Sequence, residues 1–159
     1  MNRILKTAQL REALQPYYSN DEIHGIMQHL TDYEDDYDKE ILLERLINYE
    51  PVQYITGKAY FHRYSFKVTG DTLIPRPETE ELCERILLEN PNDKKHIVDF
   101  GTGSGCIPIT LLKERSNWTG LGIDISPNAI AVANSNAENL NVSNRIEFQI
   151  GDILKLNIL

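Results

Sequence analysis

The spacing of apolar residues changes twice along the chain. Up to about residue 49, apolar residues recur every three or four positions, the period of amphipathic helices. Between residues 50 and 74 aromatic and β-branched residues dominate, which predicts a β-hairpin with its turn at Gly57. From residue 75 onward, short apolar runs alternate with helix-period stretches. We therefore expect an α/β chain with a helical region at 1–49, a hairpin linker at 50–74 and an α/β region at 75–159.

Cap signals support the helices of the first region. Ser19-Asn20-Asp21-Glu22 has the form of a capping box, and Asp38 is placed to cap a third helix. The region shows no spacing typical of metal ligands, so it predicts either a plain helical bundle or a docking module for a macromolecular substrate. The expected core positions are Ile4, Leu5, Ala8, Leu10, Ala13, Leu14, Ile23, Ile26, Met27, Leu30, Ile41, Leu42, Leu46 and Ile47.

The last region has the pattern of a doubly wound sheet. Pro77 suits the first turn of a helix that runs to about Glu89. After it, strands and helices alternate as βαβαβ, with right-handed crossovers expected. Ser126 and Pro127 form a cap and first-turn pair for the last helix. The expected strands are 96–100, 119–125 and 145–150, and the expected helices are 104–115 and 128–140.

A glycine-rich turn, Gly101-Thr-Gly-Ser-Gly105, joins the first of these strands to its helix. Alternating glycines allow a sharp turn and let a ligand approach the backbone, while the helix N-terminus presents N–H groups and a positive dipole end. A nucleotide-type cofactor is therefore expected here. The dinucleotide fingerprint does not fit, because the third glycine comes one residue early and Cys106 occupies its place.

Acidic residues follow the same edge of the expected sheet. Asp99, Asp124 and Asp152 lie at or just after the ends of three successive strands. This set suits S-adenosylmethionine, which has an amino group and a ribose but no pyrophosphate, and Asp124 is placed to accept both ribose hydroxyls. In the alternative interpretation, Asp124 is a helix cap and Asp152 a turn residue. Because Ser126 is the better cap, we expect Asp124 to be free for a ligand.

Composition narrows the function classes. The chain has 159 residues, 16 basic and 24 acidic, and a net charge of −8, which argues against direct nucleic-acid binding. Much of the acidic excess lies in the run 32–38. No apolar stretch is long enough for a membrane span or has the form of a signal peptide. Two cysteines without metal-ligand spacing predict a cytoplasmic protein with no metal site. We expect Cys106 to be a packing residue rather than a thiol of lowered pKa.

Two further segments indicate a family. Glu50-Pro-Val-Gln-Tyr-Ile-Thr-Gly57 and Leu73-Ile-Pro-Arg-Pro-Glu-Thr-Glu80, followed by the glycine turn and Gly122-Ile-Asp-Ile-Ser-Pro127, resemble the release factor glutamine methyltransferases. The resemblance covers essentially the whole chain. It implies the first βαβαβ half of a class I, Rossmann-like methyltransferase domain behind a helical bundle and hairpin. It also implies methyl transfer from S-adenosylmethionine to the glutamine of the Gly-Gly-Gln motif in peptide chain release factors.

The resemblance assigns roles to residues of this chain. Asp124 would take the ribose hydroxyls, and Asp152 and Ile153 would border the adenine. The loop Arg76, Pro77, Glu78 and Thr79 would lie near the methionine end of the cofactor and the active-site entrance. From spacing alone, Arg76 either pairs with Glu78 or holds a carboxylate such as that of the cofactor. The residues expected to line the cofactor are Gly101, Thr102, Gly103, Ser104 and Gly105.

One family motif is missing from the sequence. The family carries Asn-Pro-Pro-Tyr after the fourth strand, where it orients the substrate amide, and no such motif occurs here. The resemblance thus assigns no catalytic residue to this chain, and we expect a truncated, inactive N-terminal portion whose sheet edge could self-associate. Two rival interpretations stay open: a nucleic-acid adenine methyltransferase and a non-catalytic module that binds release factors.

Overall fold

The computed structural model describes residues 7–31, 38–91 and 93–155. The chain divides into two compact units, Met1–Thr56 and Gly57–Leu159. The acidic run predicted as a surface segment lies outside the described residues except for Asp38.

The first unit is a bundle of four described helices: α1 (Thr7–Leu14), α2 (Asn20–Thr31), α3 (Lys39–Ile47) and α4 (Val52–Thr56). Apolar side chains from all four helices meet in one core. These buried residues are Leu10, Leu14, Ile23, Ile26, Met27, Leu42, Leu46 and Val52. Most of the expected core positions are therefore confirmed, but the predictions for Ala8 and Ile41 are wrong, because Ala8 is exposed and Ile41 is 55% exposed. Ile4 and Leu5 lie outside the described residues.

Both predicted caps of the first unit form. The Glu22 carboxylate accepts from the backbone N–H and the hydroxyl of Ser19, while Ser19 Oγ accepts from the Glu22 N–H, which is a complete capping box. The Asp38 carboxylate accepts from the N–H groups of Glu40 and Ile41 at the start of α3. Local polar patterns therefore fix where these helices begin.

The expected hairpin forms, but its turn is not at Gly57. Residues 52–56 are helical because Val52 and Thr56, one helical turn apart, are both buried. Gly57, at φ 70°, follows the end of α4. The hairpin strands are β1 (Lys58–Phe61) and β2 (Tyr64–Lys67), and their turn is His62-Arg63, with His62 at φ 56°. Burial of Val52 and Thr56 thus overrides the β-like composition of this segment.

The remainder of the second unit follows the predicted βαβαβ order. After α5 (Pro77–Glu89) come β3 (His96–Phe100), α6 (Cys106–Glu114), β4 (Thr119–Asp124), α7 (Pro127–Asn139), a short 3-10 helix (Ser143–Arg145) and β5 (Ile146–Ile150). The three strands are parallel in the order β3-β4-β5. Phe100 pairs with Ile123, and Asp124 pairs with Ile150, so the carboxyl ends of the strands meet at one edge.

The Phe148 ring on β5 occupies the space beside a glycine of the neighbouring strand. On β4, Gly122 has no room for a side chain, because an added Cβ would lie 2.5 Å from the Phe148 ring on β5. Side chains of α6 and α7 share one core cluster with Ile97 and Phe148, so both helices pack on the same face of the sheet. On the opposite face, Val98 and Phe100 of β3 are 46% and 40% exposed.

Arg145 satisfies the C-terminal end of α6. Its guanidinium donates to the carbonyls of Leu112, Arg115 and Trp118 at 2.8–3.0 Å. Carbonyl groups at a helix C-terminus have no partner within the helix, so a cation at this position stabilises them. Trp118 is itself buried, and its indole N–H donates to the Asp93 carbonyl.

The described ranges contain neither a membrane-spanning helix nor a metal-binding cluster. No helix there has the length and apolar character needed to span a membrane. No group of three or more His, Cys, Asp or Glu side chains is arranged to hold a metal ion.

Candidate cofactor site

The glycine turn lies at the carboxyl edge of the sheet, between β3 and α6. Its three glycines all have left-handed backbones, with φ of 72° at Gly101, 54° at Gly103 and 76° at Gly105. Other residues rarely adopt this conformation, so the sequence pattern and the backbone agree. The N–H groups of Gly101 and Thr102 both donate to the carbonyl of Ile123, which anchors the turn to β4.

The glycines differ in what surrounds them. An added Cβ would meet nothing within 4 Å at Gly101, and at Gly103 only the Gly101 carbonyl at 4.0 Å. At Gly105 it would lie 2.9 Å from the Ile109 side chain and 3.3 Å from Ala133. Gly101 and Gly103 therefore leave open space beside the backbone, whereas Gly105 permits close packing of α6 on α7.

Asp124 ends β4 and already accepts two backbone hydrogen bonds. Its Oδ2 accepts from the Gly103 N–H at 2.8 Å, and its Oδ1 accepts from the Ser126 N–H at 3.0 Å. Ser126 caps α7 through the Ala129 N–H as expected, but Asp124 is not without partners in the fold. Each carboxylate oxygen keeps a second lone pair, and the half-buried side chain can still accept from a ligand.

Asp99, on β3, lies behind the turn. Its Oδ2 accepts from the Thr102 hydroxyl at 2.8 Å. Burial raises the pKa of this carboxyl, the Thr102 hydrogen bond opposes the shift, and the nearby Asp124 charge adds to it. Two carboxylates therefore share one poorly solvated edge, where a cationic group would be stabilised and a phosphate repelled.

Asp152 follows β5 on the same edge. The Gly151 N–H donates to the Asp124 carbonyl at 2.9 Å, which brings this segment beside the end of β4. The Asp152 carboxylate accepts from the Leu154 N–H and forms an ion pair with Lys155 at 3.1 Å. Asp152 therefore stabilises a turn, as the alternative interpretation of the sequence expected. Ile153 is 47% exposed.

The segment Arg76, Pro77, Glu78 and Thr79 begins α5. Pro77 occupies the first helical position as predicted, and Arg76 precedes it with an extended backbone. Among the described residues, no hydrogen bond or ion pair joins these four to the glycine turn, and Arg76 forms no ion pair with Glu78. Arg76, Pro77 and Glu78 are exposed.

Cys106, the first residue of α6, packs against the apolar core. Burial raises the pKa of its thiol to about 11, against a smaller opposing effect of the Ser104 hydroxyl. The thiol is therefore protonated at neutral pH and is not an activated nucleophile. Its contact with the core confirms the packing role predicted for Cys106.

Sequence reasoning missed one residue that contacts the turn. Asn136 on α7 is 1% exposed, and its amide bonds to the Ser104 carbonyl and to both backbone groups of Lys67. A signal was present, since Asn136 lies on the helical stripe of Ala129, Ala133 and Ala137 that faces the core. A polar residue on an apolar stripe indicates a buried hydrogen-bond network.

Comparison with known proteins gives this site a context. Residues 91–158 match a family model described as a methyltransferase domain. The release factor glutamine methyltransferase of Enterococcus faecalis is 46% identical over 113 residues, covering 71% of this chain and 40% of that protein. The protein of the same name from Lactococcus lactis is 50% identical over 111 residues, with 70% and 40% covered.

Among solved structures, an RNA methyltransferase from Salinibacter ruber in complex with S-adenosyl-L-homocysteine has a TM-score of 0.46 and 29% identity, covering 54% of each chain. The chain spans about 40% of the length of the curated relatives it matches. The glycine turn, Asp99 and Asp124 all lie inside the region that the methyltransferase model matches. By sequence the chain is therefore a relative of the release factor glutamine methyltransferases, and residues 91–158 of its second unit match a methyltransferase domain.

Proposed function

We propose that this chain supplies the S-adenosylmethionine-binding part of an enzyme that methylates the glutamine of the Gly-Gly-Gln motif in peptide chain release factors. The cofactor assignment rests on the glycine turn, which leaves open space beside Gly101 and Gly103 and is hydrogen-bonded to the Asp124 carboxylate. The substrate assignment rests on the names of the relatives.

The residues at the sheet edge fit this cofactor. The space beside Gly101 and Gly103 admits a ligand against the backbone, and the remaining lone pairs of Asp124 suit the two ribose hydroxyls. The carboxylates of Asp99 and Asp124 favour a cationic ligand over a dinucleotide pyrophosphate. When bound, S-adenosylmethionine supplies an electrophilic methyl group on a sulfonium.

The remaining residues of the site are proposed to contact other parts of the cofactor. Asp152 and Ile153 would border the adenine, and the segment from Arg76 to Thr79 would lie near the methionine end, where the exposed Arg76 could hold its carboxylate. The helices of the first unit would dock the release factor in the cytoplasm. In this proposal the chain binds and orients S-adenosylmethionine and the release factor.

Calorimetry with S-adenosylhomocysteine tests the cofactor assignment, with NAD as the matched nucleotide control. We expect binding of S-adenosylhomocysteine and none of NAD, and the reverse result would contradict the proposal. Binding of a release factor and of a DNA or RNA duplex to the immobilised chain then tests the substrate class. Preference for the nucleic acid would favour the adenine methyltransferase instead.

A further inference from the structure

Asn136 connects two parts of the second unit that are far apart in sequence. It lies on α7, and its amide nitrogen donates to the Lys67 carbonyl at 2.9 Å and to the Ser104 carbonyl at 2.8 Å. Its Oδ1 accepts from the Lys67 N–H at 2.7 Å. Both amide hydrogens are thus used, and one side chain links the hairpin to the glycine turn.

The contact with Lys67 has the form of strand pairing. Two neighbouring strands exchange one N–H and one C=O per bonded residue, and the Asn136 amide offers Lys67 the same pair of groups. Lys67 is the last residue of β2, whose other neighbour is β1. The end of the hairpin is therefore held to α7 by a side chain in place of a further strand.

The contact with Ser104 fixes one peptide group of the glycine turn. The Ser104 carbonyl is held by Asn136, and the N–H of the same peptide, from Gly105, donates to the Thr102 carbonyl at 2.8 Å. This peptide directly precedes α6, and Ser104 is buried. The orientation of this peptide sets the direction in which the turn enters α6. It therefore also sets which N–H groups face the ligand.

We propose that Asn136 is a positioning residue of the cofactor site, which couples the hairpin to the ligand affinity of the glycine turn. The inference rests on the proposed function, because the ligand of the turn is taken to be S-adenosylmethionine or its demethylated product. Coupling between two sites is reciprocal, so ligand at the turn also stabilises the hydrogen bond of the Lys67 N–H.

The test compares Asn136→Ala with two controls in the full chain. Asn134→Ala removes an exposed amide on the same helix, which among the described residues bonds to the Ile130 carbonyl. Arg145→Met weakens the unit at the C-terminal end of α6 and leaves the turn untouched. Each variant is assayed for urea stability, for S-adenosylhomocysteine affinity by calorimetry and for amide exchange by NMR.

For Asn136→Ala we expect S-adenosylhomocysteine affinity to fall by about tenfold or more, together with faster exchange at Lys67, Gly103 and Gly105. Asn134→Ala should change neither quantity, and Arg145→Met should lower stability while affinity stays within about twofold. In the wild-type chain, added S-adenosylhomocysteine should slow exchange at Lys67.

Unchanged affinity in Asn136→Ala, or an equal loss of affinity in Arg145→Met at matched stability, would overturn the proposal. If the wild-type chain does not bind S-adenosylhomocysteine, the proposed function fails but the proposal for Asn136 does not fail with it. Amide exchange in the ligand-free chain then tests that proposal. Unchanged exchange at Gly103 and Gly105 in Asn136→Ala would then refute the coupling. Should the alanine variant not fold, Asn136→Ser, whose hydroxyl is too short to bridge both partners, replaces it.

Discussion

At the scale of single residues, the carboxylates of the sheet edge serve the fold and the site together. Asp124 holds the turn through the Gly103 N–H and holds the start of α7 through the Ser126 N–H. Asp99 holds Thr102 but is poorly solvated. We therefore expect that replacing Asp124 lowers ligand affinity, whereas replacing Asp99 raises stability.

Replacing Asp124 with alanine should weaken S-adenosylhomocysteine binding by more than about tenfold. A lost charged acceptor costs about 1.5–3 kcal/mol, and tenfold corresponds to about 1.4 kcal/mol. Calorimetry measures the change, and Asp71→Ala, which removes an exposed acid bonded to Asn128, is the control. Equal affinities of the wild-type chain and Asp124→Ala would exclude Asp124 from the site.

Asp99→Asn should stabilise the ligand-free chain at neutral pH. Burial raises the folded pKa of Asp99 above its ordinary value of 3.8, so the wild-type carboxyl contributes stability below that value and loses it as pH rises through the folded pKa. Asparagine stays neutral and can still accept from the Thr102 hydroxyl. Its advantage in thermal unfolding should therefore grow from about pH 4 to pH 7.

The control for this pH series is Asp93→Asn, because Asp93 pairs with Lys95 on the surface and its side chain is 67% exposed. It should show little change across the same pH range. An Asp99→Asn variant less stable than the wild type at pH 7 would contradict the predicted direction.

At the scale of elements, the second unit depends on side chains that satisfy backbone groups across elements. Arg145 closes the C-terminal end of α6, and Asn136 joins α7 to both β2 and the turn. The hairpin is tied to α6 as well, since Glu114 accepts from Arg63 and from the Tyr64 hydroxyl. Loss of one such residue leaves several buried carbonyl or N–H groups without partners.

Arg145→Met should lower the free energy of unfolding by about 3 kcal/mol, because three carbonyls lose a charged donor. Urea denaturation at neutral pH measures the loss. Arg85→Met is the matched control, since the ion pair of Arg85 with Glu89 is exposed and within one helix. We expect less than about 0.5 kcal/mol from the control, and similar losses in the two variants would contradict the capping role.

At the scale of the whole molecule, the three-stranded sheet has an exposed edge at β3. Among the described residues, β3 has β4 on one side and no strand on the other, and its side chains Val98 and Phe100 are partly exposed on one face of the sheet. Open apolar edges pair with other chains. Self-association through this edge is therefore a proposal for the chain.

Val98→Lys should shift the chain toward the monomer, because a lysine on an edge strand disfavours pairing. Light scattering across a concentration series measures the shift. Leu88→Lys is the control, since Leu88 is 81% exposed and lies on helix α5 rather than on a strand. A wild-type chain that is monomeric at every concentration, or one dispersed equally by both variants, would refute the proposal.

The chain should transfer no methyl group to a release factor, even at saturating S-adenosylmethionine. The reason is the missing Asn-Pro-Pro-Tyr motif, without which the weakly nucleophilic amide is not oriented. Transfer of radiolabel to the release factor, with a Gly-Gly-Ala variant of that substrate as the control, measures activity. Label that depends on the glutamine would show that the chain needs no such motif.

The sequence by itself determined the features that rest on local chemistry. The capping box at Ser19, the Asp38 cap and the Ser126-Pro127 start of α7 follow from side chains that bond to backbone groups a few residues away. The alternating glycines likewise allow a sharp turn, and all three have left-handed φ values in the structure. The order of strands and helices after residue 95 followed from the period of apolar residues.

Only the tertiary structure decided the features that depend on distant partners. Residues 52–56 became a helix because Val52 and Thr56 are buried, although their composition favours a strand. Asp124 turned out to be bonded to Gly103, a residue of another loop, and Asn136 to Lys67 and Ser104. Such contacts form when elements pack together, and no pattern along the chain states which backbone group a buried side chain will meet.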